Sequence, residues 1–282
     1  MYVAIRDSMV MWLGYKEVIA GVKDLGLESF ELALRRDLKG EAGFDVSTEK
    51  GRREVVKRLK SENIRICALL VANDFAKEDA DQEIKWVVDA CKAASSLGVD
   101  AVRIDVPRSK PGFTLDESAK LTAKCIREVI ERTKGLDVSL GMENHGAIGN
   151  NREFIQMVLS AVRSERMGLT LDTGNFYWYG YPLDEVYEII ESFAPYVKHT
   201  HVKNLSFSEE RRKIKRKLGE DYPKTAAPLH KGDIDLKRVV STLKRAGYDK
   251  DLTIEDESLG NFPQEQRLDI VKREIEYMKN LI

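Results

Sequence analysis

What most restricts the fold of this chain is an alternation, sustained from end to end, between short β-rich apolar runs and longer amphipathic segments. The apolar runs are Tyr2 to Ile5, Ser29 to Leu34, Ile64 to Val71, Ala101 to Val106, Val138 to Glu143, Gly168 to Asp172, Val197 to Lys203 and Leu252 to Glu255. Their length and side chains suit strands. Helical periodicity covers Lys16 to Leu25, Thr48 to Ser61, Glu78 to Ser96, Leu115 to Thr133, Asn151 to Arg163, Leu183 to Phe193, Leu236 to Ala246 and Gln264 to Lys279. Leu25-Gly26-Leu27, Leu97-Gly98-Val99 and Ala246-Gly247-Tyr248 each place a residue tolerant of the left-handed conformation where a helix ends before the next strand.

Eight such units of about 35 residues account for the whole chain, which is the arithmetic of a (β/α)8 barrel. The predicted fold class is therefore α/β, a single TIM barrel over residues 1–282, with no Pro/Gly/Ser-rich linker to divide it. A doubly wound open sheet is the alternative, but neither GxGxxG nor GxxxxGK[ST] follows the first strand, so it would lack a phosphate cradle. A barrel places its functional groups at the C-terminal ends of the strands.

Charge narrows the partners. With 46 Lys plus Arg against 47 Asp plus Glu, no global field draws the chain toward nucleic acid or an anionic membrane. The longest apolar run, Ile66 to Ala72, is far too short to span a bilayer, and the N-terminus has no signal-peptide pattern, so a cytoplasmic address is expected. Cys67, Cys91 and Cys125 are odd in number and lack CxxC spacing, which argues against a disulfide framework or a thiolate zinc site. One stretch breaks the regular spacing, the loop from Asn204 to Lys231 between the seventh strand and seventh helix. It reads as a lid or insertion, and its run Glu209 to Leu218 as a short charged helix able to greet an anionic substrate.

All four histidines, His145, His199, His201 and His230, fall at or just after strand ends or in that loop. Glu143, Asp172 and Glu255 close the fifth, sixth and eighth strands. A barrel mouth that gathers three carboxylates without a cation would suffer like-charge repulsion and desolvation, and a divalent metal relieves both. Three oxygen donors and one imidazole suit Mn²⁺ best, with Mg²⁺, Co²⁺ or Zn²⁺ as alternatives. Strand alternation puts His199, His201 and Lys203 on one face, and His145 on the face of Glu143. Trp12, Phe75, Phe176 and Trp178 follow strand ends and are candidates for walling a pocket.

The motifs Gly141-Met142-Glu143-Asn144-His145-Gly146, Leu171-Asp172-Thr173-Gly174-Asn175-Phe176, His199-Thr200-His201-Val202-Lys203-Asn204, Gly232-Asp233-Ile234-Asp235 and Leu252-Thr253-Ile254-Glu255 resemble the signature of the xylose-isomerase-like barrel superfamily, and within it the sugar phosphate isomerase/epimerase branch. The resemblance implies one divalent metal held by Glu143, Asp172, His201 and Glu255. His201 is chosen over His199 because it precedes Lys203 in a His-x-Lys pattern. Glu143 and Glu255 become the proton-transfer pair, and His145, Lys203, Asn175, His230, Glu31 and Trp12 the expected substrate contacts, with a buried pairing of Glu31 to Arg103 as the alternative for that glutamate. Two departures are Asn175, where many relatives carry His, and Asn204, where many carry Asp.

The reaction so implied is sugar isomerisation or epimerisation by proton abstraction next to a metal-chelated carbonyl, through an enediolate. A metal-dependent dehydratase is the alternative, and an apurinic endonuclease-like phosphodiesterase a more distant one. The acidic run Glu255-Asp256-Glu257-Ser258 favours an unphosphorylated small-molecule substrate. Oligomers are common in the resembled family, so a homo-oligomer is expected.

Overall fold

The computed structural model describes residues 1–40, 43–107 and 112–282. Its eight barrel strands are β1 (Tyr2–Arg6), β2 (Ser29–Leu34), β3 (Arg65–Val71), β4 (Ala101–Ile104), β5 (Ser139–Glu143), β6 (Met167–Asp172), β7 (Val197–His201) and β8 (Asp251–Ile254). Neighbours in sequence pair in parallel from β1 to β7, and β8 pairs with β1. The ring closes where Val202 N–H donates to Thr253 O at 2.8 Å and Glu255 N–H to Val202 O at 3.0 Å. This is the predicted (β/α)8 barrel.

The principal helices are α1 (Val18–Asp24), α2 (Glu49–Glu62), α3 (Ala80–Leu97), α4 (Leu115–Arg132), α5 (Arg152–Val162), α6 (Leu183–Phe193), α7 (Leu236–Arg245) and α8 (Gln264–Lys279). Side chains cap several of them: Thr48 accepts from Gly51 N, Asp79 from Gln82 N, Asn151 from Glu153 N and Phe154 N, and Thr114 forms a reciprocal box with Glu117. Each such cap stabilises its helix by about 1 kcal/mol. Strands four and seven are shorter than their apolar runs, and at the mouth the amides of Asp105 and Lys203 donate to the side chains of Asn73 and Thr173 instead of to a strand. A short helix that the periodicity does not announce, Asp7–Trp12, follows β1 directly. No helix among the described residues is long and apolar enough to cross a membrane.

The layer between barrel and helices is apolar, with Phe30, Phe154, Leu140 and Ile126 fully buried. The barrel axis is polar. Glu31, His199, His201, Asp251 and Thr253 are all buried, so each must find a partner there or pay desolvation.

The long connection after β7 is pinned by Asn204. Its Nδ2 donates to Leu229 O and Ile234 O, and its Oδ1 accepts from Leu205 N and Ile234 N. Any Cβ at residue 232 would fall 2.1 Å from Asn204 Cγ, so glycine there is a packing requirement. Asn204–Leu205 and Ala226–Ala227 form a small antiparallel hairpin at the base of the insertion. The charged helix expected over Glu209 to Leu218 shrinks to Glu209–Arg212. Its cations do not wait for an anion: Arg211 pairs with Glu220 and Asp221, Arg212 with Asp233, and Lys213 with Glu209. Arg216 is buried, donates to Tyr177 O and Tyr181 O, and stacks on Tyr177 and Phe207. The basic run therefore fastens the insertion to the barrel.

Candidate metal centre and active site

Four side chains meet at the C-terminal mouth: Glu143 ends β5, Asp172 ends β6, His201 ends β7 and Glu255 follows β8. Each offers a ligand atom within 4.8 Å of the others, and all four are buried. His201 Nδ1 lies 3.1 Å from Glu255 Oε2 and 3.5 Å from Glu143 Oε2.

The environment fixes each of them at one atom. Asp172 Oδ1 accepts from Gly174 N and Asn175 N, both at 2.8 Å, starting the short helix Asn175–Tyr179. Arg103 clamps Glu143 through Nε and Nη2, and Arg6 donates from Nη1 to Glu255 Oε1. His201 Nε2 lies 2.9 Å from Glu31 Oε1. On the opposite side, His201 Nδ1, Asp172 Oδ2 and Glu255 Oε2 are buried with no hydrogen-bond partner. Three buried donor atoms that face one point without a well-formed hydrogen bond, with the Lys203 ammonium beside two of them, in a set of three carboxylates and one imidazole, fit a hard or borderline divalent cation.

The charges fit the same picture. Burial alone would push the Glu143 carboxyl up, but Arg103, then His201, holds it well below its ordinary range. Burial raises Asp172, and Lys203 offsets only part of that. Lys203 is itself buried, yet Asp172, Glu257 and Glu143 raise its ammonium above the usual lysine value; its Nζ is 3.0 Å from Asp172 Oδ2 and 2.9 Å from Glu257 Oε2. Gly174 makes room for that lysine, since a Cβ there would meet its Cγ at 2.4 Å.

Beside the cluster lies a cleft of about 120 Å³ lined by His145, Asn175, Trp178, Lys203, Leu205, Tyr222 and Glu257. A second, of about 300 Å³, opens beyond His145 toward Asp105 and Pro107. A larger hollow of about 660 Å³ sits near Met167, Tyr196 and Lys198, at the N-terminal ends of β6 and β7 and away from the chemistry. The cleft at the mouth is the better candidate, because barrel sites form where the strands end. His145 Nδ1 is 3.0 Å from Asp105 Oδ1, and this contact, opposed by burial, raises the imidazole. Asn175 Nδ2 reaches Glu143 Oε1 at 3.4 Å.

Other expected contacts fall elsewhere. Glu31 is fully buried beneath the cluster and bound to His199, His201 and Arg6 rather than to Arg103. Arg103 turns instead to Glu143 and Asp105. His230 packs its ring 6.4 Å from Tyr277 on α8, because Asn204 ties that part of the loop back against the outer layer. Trp12 is 55% exposed, and its carbonyl accepts from Gln264 on α8. Phe75 and Phe176 are core residues, while Trp178 lines the cleft.

Tyr222 and Glu257 are cleft residues absent from the sequence-based set. Tyr222 donates to Glu257 Oε2 at 2.6 Å and packs edge-on to Trp178. The signal for Glu257 is its place in the acidic run after β8; for Tyr222 no local signal exists, since the insertion's path decides where it points.

Known proteins resemble the chain in sequence or fold. The probable endonuclease 4 of Metamycoplasma arthritidis (strain 158L3-1) is 24% identical over 199 residues, 69% of this chain and 68% of its own. The IolI protein, solved with a bound zinc atom, superposes with a TM-score of 0.76 at 15% identity, over 100% of this chain and 99% of that one. D-psicose 3-epimerase from Clostridium cellulolyticum H10, solved with D-tagatose, gives 0.72 at 13% identity over 100% and 99%. At such identities the two structures speak for the fold alone. The model of the xylose isomerase-like TIM barrel family matches residues 19–281, and with eight parallel strands closed around that match, the chain belongs to this family.

Proposed function

We propose that the protein is a divalent-metal-dependent sugar isomerase or epimerase acting on an unphosphorylated ketose, aldose or keto-sugar. The observation that carries this reading is the convergence of His201 Nδ1, Asp172 Oδ2 and Glu255 Oε2, buried and without a hydrogen bond, beside Glu143. When bound, a cation such as Mn²⁺ supplies Lewis acidity, polarising a substrate carbonyl and acidifying the adjacent C–H.

The chain's own groups supply the rest. Glu143 and Glu255 approach the centre from strands on either side of His201, each with a carboxylate oxygen held by an arginine. Held ionised by Arg103, Glu143 is a weak base suited to a carbon acid that has already been acidified. Removal of the proton by one glutamate and its return by the other gives epimerisation; its transfer between adjacent carbons on one face gives isomerisation. Lys203 faces the cleft as the donor nearest a developing oxygen charge. Trp178 and Tyr222 cover one side and exclude water.

An unphosphorylated substrate is favoured because Arg6, Arg103 and Lys203 are each engaged by carboxylates, and Glu257 adds negative charge to the cleft wall. The test is proton NMR in D₂O with the Mn²⁺-loaded protein and a panel of ketoses, aldoses, ketose phosphates and keto-inositols. Loss of one C–H signal names the carbon and the reaction. Elimination of water indicates a dehydratase. Absence of exchange together with incision of abasic DNA overturns the proposal in favour of the apurinic endonuclease-like alternative.

A further inference from the structure

A continuous polar chain runs down the barrel axis from the cluster. His201 Nε2 and His199 Nε2 both lie 2.9 Å from Glu31 Oε1, within hydrogen-bond geometry. Arg6 Nε is 3.1 Å from Glu31 Oε2. Below, His199 Nδ1 is 2.8 Å from Asp251 Oδ2, and Asp251 accepts in turn from Thr253 Oγ1 at 2.8 Å and Tyr248 OH at 3.0 Å. Glu31, His199 and His201 are entirely buried, and Asp251 is 1% exposed. Glu31, His199 and Asp251 lie beneath the cluster, and Arg6 is the partly exposed member, at 20%.

We propose that Glu31 is a positioning residue for the metal histidine: it accepts the Nε2 proton of His201, leaving Nδ1 as the lone-pair atom that faces Glu143, Asp172 and Glu255, and it is itself held by Arg6, His199 and, through His199, Asp251. The inference rests on the metal reading of the cluster. An ionised carboxylate is an acceptor only, so the imidazole nitrogen hydrogen-bonded to Glu31 carries the proton, while His201 Nδ1, though 3.1 Å from Glu255 Oε2, forms no hydrogen bond. With Nε2 committed, the tautomer and ring plane of His201 are set before any ion arrives, and the imidazole becomes a stronger donor. Strands β1, β2, β7 and β8 all contribute members, β7 both histidines, so the seam where the barrel closes is also what aims the ligand. The strand-two glutamate therefore acts through His201, beneath the site.

The test combines long-range ¹H–¹⁵N NMR of the imidazoles in metal-free protein with calorimetric titration by Mn²⁺. Wild type should show His201 as the Nε2–H tautomer. Glu31→Ala should mix the tautomers and weaken Mn²⁺ binding by about 10–100-fold. Glu31→Gln keeps an acceptor oxygen and should restore the tautomer and most of the affinity, which a merely structural glutamate would have no reason to do. Wild-type imidazole signals and affinity in Glu31→Ala overturn the inference. If that variant does not fold, Asp251→Asn serves: displaced His199 and His201 signals with a few-fold loss of affinity support the relay, and unchanged values overturn it. Failure of wild type to bind Mn²⁺ would strike the metal reading instead, and the tautomer would still decide the Glu31 contact.

Discussion

Arg6, the last residue of β1, donates to Oε1 of Glu255, one residue past β8, while its Nε lies 3.1 Å from Glu31. One guanidinium thus spans the closing seam and aims a proposed base, leaving Oε2 of Glu255 turned toward the cluster. Replacing it with an uncharged side chain of similar length should misplace that base without emptying the barrel. Arg6→Met is expected to lower kcat by about 100-fold with a near-native circular dichroism spectrum. Unaltered kcat would show that Glu255 needs no such support.

Glu255→Gln and Glu143→Gln should each remove a proton-transfer group while keeping the side-chain shape. The expected loss of C–H exchange is about 10²–10⁴-fold, with Mn²⁺ still bound. Full exchange in either variant, followed by NMR in D₂O, removes that glutamate from the mechanism.

Asp7 sets a pH dependence of stability. It is fully buried, and burial raises its carboxyl from 3.8 to about 7, although the amides of Ala33 and Ser8 pull the other way. An acid with a raised folded-state pKa favours the protonated form in the native state. Its favourable contribution is complete below pH 3.8, shrinks as pH rises, and is gone above about 7. The span corresponds to about 4 kcal/mol. Asp7→Asn should therefore flatten the fall in stability of wild type between pH 4 and 7, whatever its effect on absolute Tm. Equal slopes in urea titrations of the two proteins would contradict this.

Tyr222 is the insertion's contribution to the cleft. Loss of its hydroxyl in Tyr222→Phe removes a donor to Glu257 and should raise KM by about 10-fold, while Tm stays close to wild type because the ring still packs on Trp178. A large drop in Tm with unchanged KM would make Tyr222 a structural residue.

Much of this architecture is legible in the sequence, and what escapes has physical causes. Glu143, Asp172 and Glu255 stand out because they close predicted barrel strands, whereas His199 and His201 share a face and only the resemblance in the His-x-Lys pattern singles out His201. Partner choice across the axis is another matter. Arg103 could meet Glu31 or Glu143, and only the stagger of β2, β4 and β5 directs it to Glu143. Glu31 reads as a substrate contact until its depth below His201 is known. Arg211, Arg212 and Arg216 look available in one dimension, yet they are taken up by Asp233, Glu220, Asp221 and the carbonyls of Tyr177 and Tyr181. His230 is displaced for a similar reason, its loop being tied down by Asn204.

The central claim is that Glu143, Asp172, His201 and Glu255 hold one divalent ion. It is tested most directly by anomalous diffraction at the manganese edge from crystals grown with Mn²⁺. The account predicts one strong peak bounded by His201 Nδ1, Asp172 Oδ2, Glu255 Oε2 and the Glu143 carboxylate, and its loss in His201→Ala. No peak among these four side chains, or one retained at full height without His201, would contradict it.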